Sequence, residues 1–383
     1  MADVRREGST GGARAGAPTV APRPFAEPPR RILVLRYRFI GDTLLAVPFL
    51  RALRRAAPAA EIEVLVAPGS GELLQGCPYV DALHWYTRRR PFGGAEPRFV
   101  HRTWFDALGA LRRRRYDAVY VLKRAWSSAV LARMVGAPRR IGLDVDGRAM
   151  FLTDAVPPQS GVHETESHLA LLRATGFDAP ADRRLESFVR DDERAAVDAA
   201  WRATAPRTTR HVGVQASASD AFKNWPSERF VELIDGLDRA FDGDVAFHAV
   251  GGPGDVAANE ALRRALPRES LRGRWTDWSR RLDLRAGQAL MERLDLVVGS
   301  DSGPLHLAAS AGTPAVAVFG PMDPARWAPT SPGSVAVALE GLECRPCGRP
   351  HACRIGRRCL SDLGAAPVLA ECVARLSGAR RAV

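Results

Sequence analysis

Short apolar runs that end in Gly-, Ser- or Asp-containing turns, each followed by an amphipathic stretch, recur along this chain, and that alternation constrains its fold more than any other feature. RILVLRY, from Arg31, reads as a buried parallel strand. The turn Phe39-Ile40-Gly41-Asp42 and an amphipathic stretch over residues 43–56 follow it. EIEVLVAP, DALHWY and DAVYVLK read as further strands, with a helical stretch ending in Arg112 to Arg115 before the last of them. After a helix over HLALLRATG and a charged helix over 191–202 the pattern restarts with HVGVQAS, DVAFHAV, DLVVGS and PAVAVFG as strands. Strand and helix at this spacing predict α/β architecture, two Rossmann-like doubly wound domains. A length of 383 residues suits two domains. The expected division is a disordered tail over 1–30, an N-terminal domain over 31–190, a C-terminal domain over 191–343 and a Cys-containing segment over 344–383. The tail is assigned because Gly, Ala, Pro and Arg offer too little apolar surface to offset ordering.

Composition narrows the function classes. Hydrophobic residues make up 46% and charged residues 26%, enough for a sizeable core. No apolar run reaches the roughly 18 to 20 residues of a bilayer span, and no secretory leader is visible, so a cytoplasmic location is expected. A net charge of +12 calls for an acidic partner. Only Lys123 and Lys223 are lysines among 55 basic residues. Much of the arginine therefore reads as compositional drift, and a retained lysine marks a place where an ammonium is specifically needed. Nine arginines (88 to 90, 98, 102 and 112 to 115) face only Glu96 and Asp106 between Thr87 and Arg115. No RNA-binding motif accompanies them, so a phosphorylated acceptor or an anionic membrane fits better than nucleic acid.

Ligands of open α/β sheets bind at the carboxyl ends of strands, so the exit turns hold the chemistry. DLVVGSDSGPLHL ends a strand at Ser300 and opens a helix near Pro304, an anion site suited to a pyrophosphate. The competing reading makes Asp301 or Ser302 a helix cap and His306 a packed core residue. GVQASASDAFKNWP brings Ser219 and Lys223 to another exit, where hydroxyl and ammonium suit phosphate oxygens. AVGGPGD places Asp255 after a Gly-rich turn, able to take ribose hydroxyls. Asp42 leaves the first strand as a general base or as a cap of the next helix. The triplets Asp144-Val145-Asp146 and Asp242-Gly243-Asp244 lie away from these exits and read as chance. Cys344, Cys347, Cys353 and Cys359 form a C-x-x-C opening with two later thiols, either a structural zinc site with His351 in reserve or a reduced thiol cluster.

RILVLRYRFIGDTLLAVPFLRALRR, KNWPSERF, GSDSGPLHLAASAGTPAVAVFGPMDPARWAP and the terminal cysteine stretch, in this order, resemble the bacterial lipopolysaccharide heptosyltransferases over residues 31–372. The resemblance implies a GT-B architecture, two domains facing a cleft. It implies inverting, metal-independent transfer of a heptosyl group from an ADP-activated donor, without a cofactor. Asp42 then resembles the general base and Lys223 the donor-phosphate contact, with Ser219 beside it. Asp301, Ser302, Gly303 and His306 resemble the nucleotide-sugar signature, and Asp255 stands where relatives carry Glu. Lys123 and Arg88, Arg89 and Arg90 fall on the acceptor side, where a phosphorylated glycolipid or glycan would sit against the inner face of the membrane. Two rival readings keep other chemistry: a sugar-nucleotide epimerase or hydrolase on the same fold, and a non-catalytic basic protein binding nucleic acid or membrane.

Overall fold

The computed structural model describes residues 21–36, 39–87, 99–347 and 352–378. The first half carries β1 (Arg31–Leu35), α1 (Ile40–Leu44), α2 (Val47–Ala56), β2 (Glu61–Val66), β3 (Ala82–Tyr86), β4 (Phe99–His101), α3 (Trp104–Arg114), β5 (Ala118–Val121), α4 (Trp126–Val135), β6 (Arg139–Leu143), β7 (Asp154–Val156) and α5 (Glu164–Ala174). The second carries α6 (Asp191–Thr204), β8 (His211–Gln215), α7 (Ser227–Ala240), β9 (Ala246–Ala249), α8 (Val256–Ala265), α9 (Glu269–Gly273), β10 (Trp275–Asp277), α10 (Leu284–Met291), β11 (Leu296–Ser300), α11 (Gly303–Ser310), β12 (Ala315–Phe319), α12 (Pro324–Trp327), β13 (Val335–Ala338), α13 (Arg358–Ser361) and α14 (Ala365–Gly378). The strand orders are β4-β3-β2-β1-β5-β6-β7 and β10-β9-β8-β11-β12-β13. Every pairing is parallel, with Ile32 beside Ile62 and Ala118 in one sheet and Val298 beside Val214 and Val316 in the other. Two doubly wound α/β domains are therefore present, as the alternation predicts.

Continuous apolar strands follow from burial on both faces. Ile32, Leu33, Val34 and Leu35 are all fully buried: Ile32 and Val34 pack with Phe49, Leu50 and Leu172 on one side, Leu33 and Leu35 with Leu111, Leu131 and Val135 on the other. A third cluster crosses between the halves, joining Leu44, Leu73, Leu185 and Val189 to Leu290, Leu294, Leu305 and Leu307. Arg285 fastens the same junction. Its guanidinium donates to Glu72 O at 2.8 Å, Gln75 O at 3.1 Å and Phe188 O at 2.8 Å.

One expectation is corrected. Residues 23–25, assigned to the tail, are ordered by specific contacts. Phe25 packs on Phe177, its N–H donates to Thr175 O at 3.1 Å, and Arg23 N–H donates to Asp154. An aromatic ring among the Pro and Arg supplies the apolar surface that the composition argument discounted. The α7 helix starts at Ser227, with Pro226 as its N-cap residue. A residue before proline is held extended, and Trp225 is buried, with Nε1 donating to Leu363 O at 2.9 Å. Of the Cys-containing C-terminal segment, Cys359, Leu360, Val368, Cys372 and Leu376 belong to the core of the second half. No helix among the described residues is long and apolar enough to cross a membrane.

Candidate active site

The strand exits of the two sheets meet where the N-terminal ends of α1 and α11 abut. A Cβ on Gly41 would stand 2.6 Å from His306 Cδ2, and one on Gly303 would stand 3.1 Å from Ile40 Cβ. Glycine at both positions lets the Asp42 turn and the Asp301–His306 turn touch, bringing together two stretches far apart in the chain.

Asp42 lies inside the first turn of α1, a helix whose N-cap residue is Phe39, and no side chain caps that helix. Its carboxylate pairs instead with Arg36, Nη2 to Oδ1 at 2.8 Å, while Arg36 Nε donates to Asp42 O at 2.8 Å. Arg36 is 3% exposed. Burial lowers its pKa, opposed by the charges of Asp42 and Glu164. A buried guanidinium thus holds this carboxylate by side chain and main chain together, with the carboxylate part-exposed at the cleft.

Lys223 closes a 3-10 turn over Ala221–Lys223, and its ammonium lies 2.8 Å from Asp301 Oδ2. Burial pushes the Asp301 carboxyl up, against the opposing charge and hydrogen bond of Lys223. Ser302 Oγ donates to Ser300 O at 2.9 Å and caps nothing, so the α11 N-terminus has no side-chain cap. His306 is 5% exposed, and its Nδ1 has no hydrogen-bond partner. Burial first, then the charges of His163 and Lys223, bring its pKa down to about 3, so the ring is neutral at physiological pH. Asp255 closes its own Gly-rich turn by accepting from Gly252 N–H at 2.7 Å, and also accepts from Ser217 Oγ at 2.6 Å. Ser219, two residues on, is exposed.

Asp42, Lys223, Asp301, Ser302, Gly303 and His306 therefore share one locality, with Asp255 tied to the β8 exit through Ser217. Lys123 stands at the β5 exit, where its carbonyl accepts from buried Arg148 Nη1 at 2.5 Å. Arg88, Arg89 and Arg90 lie outside the described residues, as does His351. Arg112 to Arg115 do not face the cleft. Because α3 runs back against the strands, its C-terminal end reaches the strand starts. There Arg114 pairs with Glu61 and Glu63, and Arg31 Nη1 donates to Arg114 O at 3.0 Å. Arg114 thus ties together the strand starts, at the end of the sheet opposite the exits.

Sequence reasoning missed Arg36, Arg124, Glu164 and Arg326. Glu164, 2% exposed at the start of α5, accepts from Arg124 of the first half and from Arg326 of the second. Among so many arginines, residue type alone does not distinguish Arg36, Arg124 or Arg326. Cys344, Cys347, Cys353 and Cys359 line one small cavity beside Phe222. Among the described residues, however, no group of three or more His, Cys, Asp or Glu is placed to hold a metal ion, so the zinc expectation gains nothing from the side-chain positions. Asp244 of the second acidic triplet anchors Thr209 and Arg210, a structural duty.

The sequence profile of Glycosyltransferase family 9 (heptosyltransferase) matches residues 105–354. Lipopolysaccharide heptosyltransferase 3 of Escherichia coli is 28% identical over 309 residues, covering 77% of this chain and 84% of that protein. Lipopolysaccharide heptosyltransferase 2 of Escherichia coli strain K12 is 26% identical over 307 residues, covering 77% and 84%. Among solved structures, E. coli ADP-heptose lps heptosyltransferase II superposes with a TM-score of 0.71 at 23% identity, over 91% of this chain and 99% of the other. The family 9 glycosyl transferase of Veillonella parvula superposes with a TM-score of 0.76 at 20% identity, over 91% and 98%. These structural likenesses bear on the fold, which is that of the GT-B heptosyltransferases.

Proposed function

The chain belongs to glycosyltransferase family 9, the heptosyltransferases, and we propose that it moves a heptosyl group from an ADP-activated donor to a lipopolysaccharide-core acceptor, with inversion and without a metal ion or cofactor. In this reading residues 191–343 bind the donor and residues 31–190 the acceptor. The observation that carries it is the junction at Gly41 and His306, where the Asp42 carboxylate and the Lys223–Asp301 pair come to one cleft from opposite halves.

Asp42 takes the proton of the acceptor hydroxyl as that oxygen attacks the anomeric carbon, and the carbon–diphosphate bond breaks on the opposite face. Arg36 keeps the carboxylate oriented for that transfer. Lys223 leaves Asp301 for the diphosphate oxygens as negative charge grows on them, and the uncapped N–H groups of α11 add a fixed positive dipole. Asp301 is then the resting partner that stores the ammonium at the right place. Neutral His306 fills the junction without adding charge. Ser219, Ser302, Gly303 and Asp255 complete the donor subsite. Lys123 and the arginines at 88 to 90 are assigned to a phosphorylated acceptor, which would bring the enzyme to the anionic inner face of the membrane.

The test is Asp42→Asn. Transfer should fall by at least about a hundredfold, the low end of a general base, with ADP affinity nearly unchanged. Near-parental turnover would remove Asp42 from the mechanism. Release of free sugar without acceptor, at a rate matching transfer, would turn the reading to hydrolysis.

A further inference from the structure

We propose that Glu164 and Arg326 are a pair of positioning residues that link closure of the two halves to the placement of the Asp42 carboxylate; the inference rests on the transferase reading above. The sequence pattern singles out MDPARWAP after β12, and the mechanism leaves it unused. In the structure this segment forms α12 and crosses to the other half. Arg326 Nε donates to Glu164 Oε2 at 2.9 Å, and His163 Nε2 donates to Ala328 O at 3.0 Å. Two adjacent residues at the start of α5 thus hold both ends of the crossing segment.

Glu164 is also bound from its own half. Arg124 Nε donates to Oε1 at 3.2 Å and Arg124 Nη2 to Oε2 at 2.9 Å, and His168 Nε2 lies 3.7 Å from Oε1. Burial alone would push this carboxyl up, yet His168, Arg124 and Arg326 together hold it below the usual carboxylate range. Its negative charge reaches Arg36, the guanidinium that grips Asp42. One buried carboxylate therefore binds two arginines, Arg124 from the acceptor half and Arg326 from the donor half, and its charge also acts on Arg36.

The charge arithmetic makes the contact conditional. Arg124 and Arg326 repel unless Glu164 stands between them, and Arg326 reaches Glu164 only when the halves are in this arrangement. When the halves separate, Glu164 keeps Arg124 and His168 as its bound partners, and with the opposing charge of Arg326 gone the net attraction on Arg36 grows. That shift draws Arg36, and with it the Asp42 side chain, away from the orientation held here. Closure restores the balance and returns Asp42 to its place. A partly exposed ion pair would be worth little as a source of stability. Its use here is geometric, since Arg326 is only one-third exposed and its partner is buried.

The test uses the full chain in five forms: parent, Arg326→Ala, Arg326→Lys, Glu164→Gln, and Glu164→Gln combined with Arg326→Ala. Hydrogen exchange is read at residues 163–168 and 324–330, and kcat and both KM values are read with an ADP-sugar and acceptor. Arg326→Ala should exchange faster at both segments and lose kcat by about tenfold, the loss of one charge-assisted hydrogen bond, with donor KM unchanged. Arg326→Lys should recover part of kcat, and the double variant should be no slower than Glu164→Gln alone, because both changes cut the same link. The proposal is overturned if Arg326→Ala keeps parental exchange and kcat, if its loss appears in donor KM, or if the two changes multiply. Should Glu164→Gln fail to fold, Arg326→Ala and Arg326→Lys decide the question alone. Absence of transfer by the parent with every ADP-sugar would overturn the transferase reading instead, while the exchange arm would still judge the link.

Discussion

Replacing Lys223 with Met separates what the lysine does for the fold from what it does for the donor. Its sequence context reads as an exposed loop whose loss would barely move thermal stability, and the structure reverses that expectation. The ammonium sits 2.8 Å from Asp301, with the two side chains 26% and 8% exposed. Removing one partner of a fully buried pair costs roughly 3–5 kcal/mol. Water still reaches Lys223, so about 1–3 kcal/mol is expected here once that screening is discounted. For a domain of this size each kcal/mol lowers Tm by about 2–4 °C, so a fall of about 2–12 °C should appear at pH 7.5. The pH dependence follows from Asp301. Its folded-state pKa already lies above the unfolded value, so its ionisation costs stability as pH rises through the folded value. Without the ammonium that value rises further, and the deficit of the variant should narrow as pH falls toward 4. Transfer should drop by about 30- to 1,000-fold, the equivalent of about 2–4 kcal/mol of transition-state stabilisation. Adding Asp301→Asn should recover Tm but not transfer. Differential scanning fluorimetry at pH 4.5 and 7.5, with coupled ADP release, reads both effects. A Lys223→Met protein with parental Tm and parental turnover would refute the assignment of this lysine altogether.

Gly41→Ala should cost about 1–3 kcal/mol by overpacking, measured in urea, because the new methyl meets the buried His306 ring at 2.6 Å; it should also depress transfer, and a parental midpoint would show that the junction yields. Burial, with His211 for one and with His163 and Lys223 for the other, holds His248 and His306 at about 3. Their stabilisation is complete above the unfolded value near 6.5 and is lost as pH falls from there toward 3, at about 2.7 kcal/mol per pH unit for the two. A Tm that stays flat between pH 6.5 and 5 would contradict this. Alkylation followed by mass spectrometry should label Cys353 first, since the Arg357 N–H bonds its sulfur at 3.3 Å and lowers its pKa, and should label Cys372, fully buried with its thiol pushed well up by burial, last. The reverse order would refute these environments.

What could be read from the chain, and what could not, divides along sequence distance. The strands from Arg31, His211 and Leu296 declare themselves because burial on both faces demands unbroken apolar runs, and the exit turns follow from them. Asp42, Asp301 and His306 are found the same way, by position after a strand. Their partners are another matter. Lys223 and Asp301 are 78 residues apart, and Glu164 and Arg326 are 162 apart. Which exits meet depends on the strand order, which no local pattern contains. Arginine makes this worse, because a residue type used throughout the chain carries no contrast: Arg36, Arg124 and Arg326 look no different from Arg112 or Arg113. Direction would have helped with the last two. A helix that returns against a parallel sheet puts its C-terminal residues at the strand starts, so Arg112 to Arg115 belong to the edge opposite the exits once α3 is placed between β4 and β5. The rule sorts arginines by the end of the helix they occupy, and it assigns Arg124 and Lys123, which directly follow β5, to the cleft. The same sorting gives Arg36 to the cleft from its place just past β1, and leaves only Arg326, on the far half, to be found by the structure.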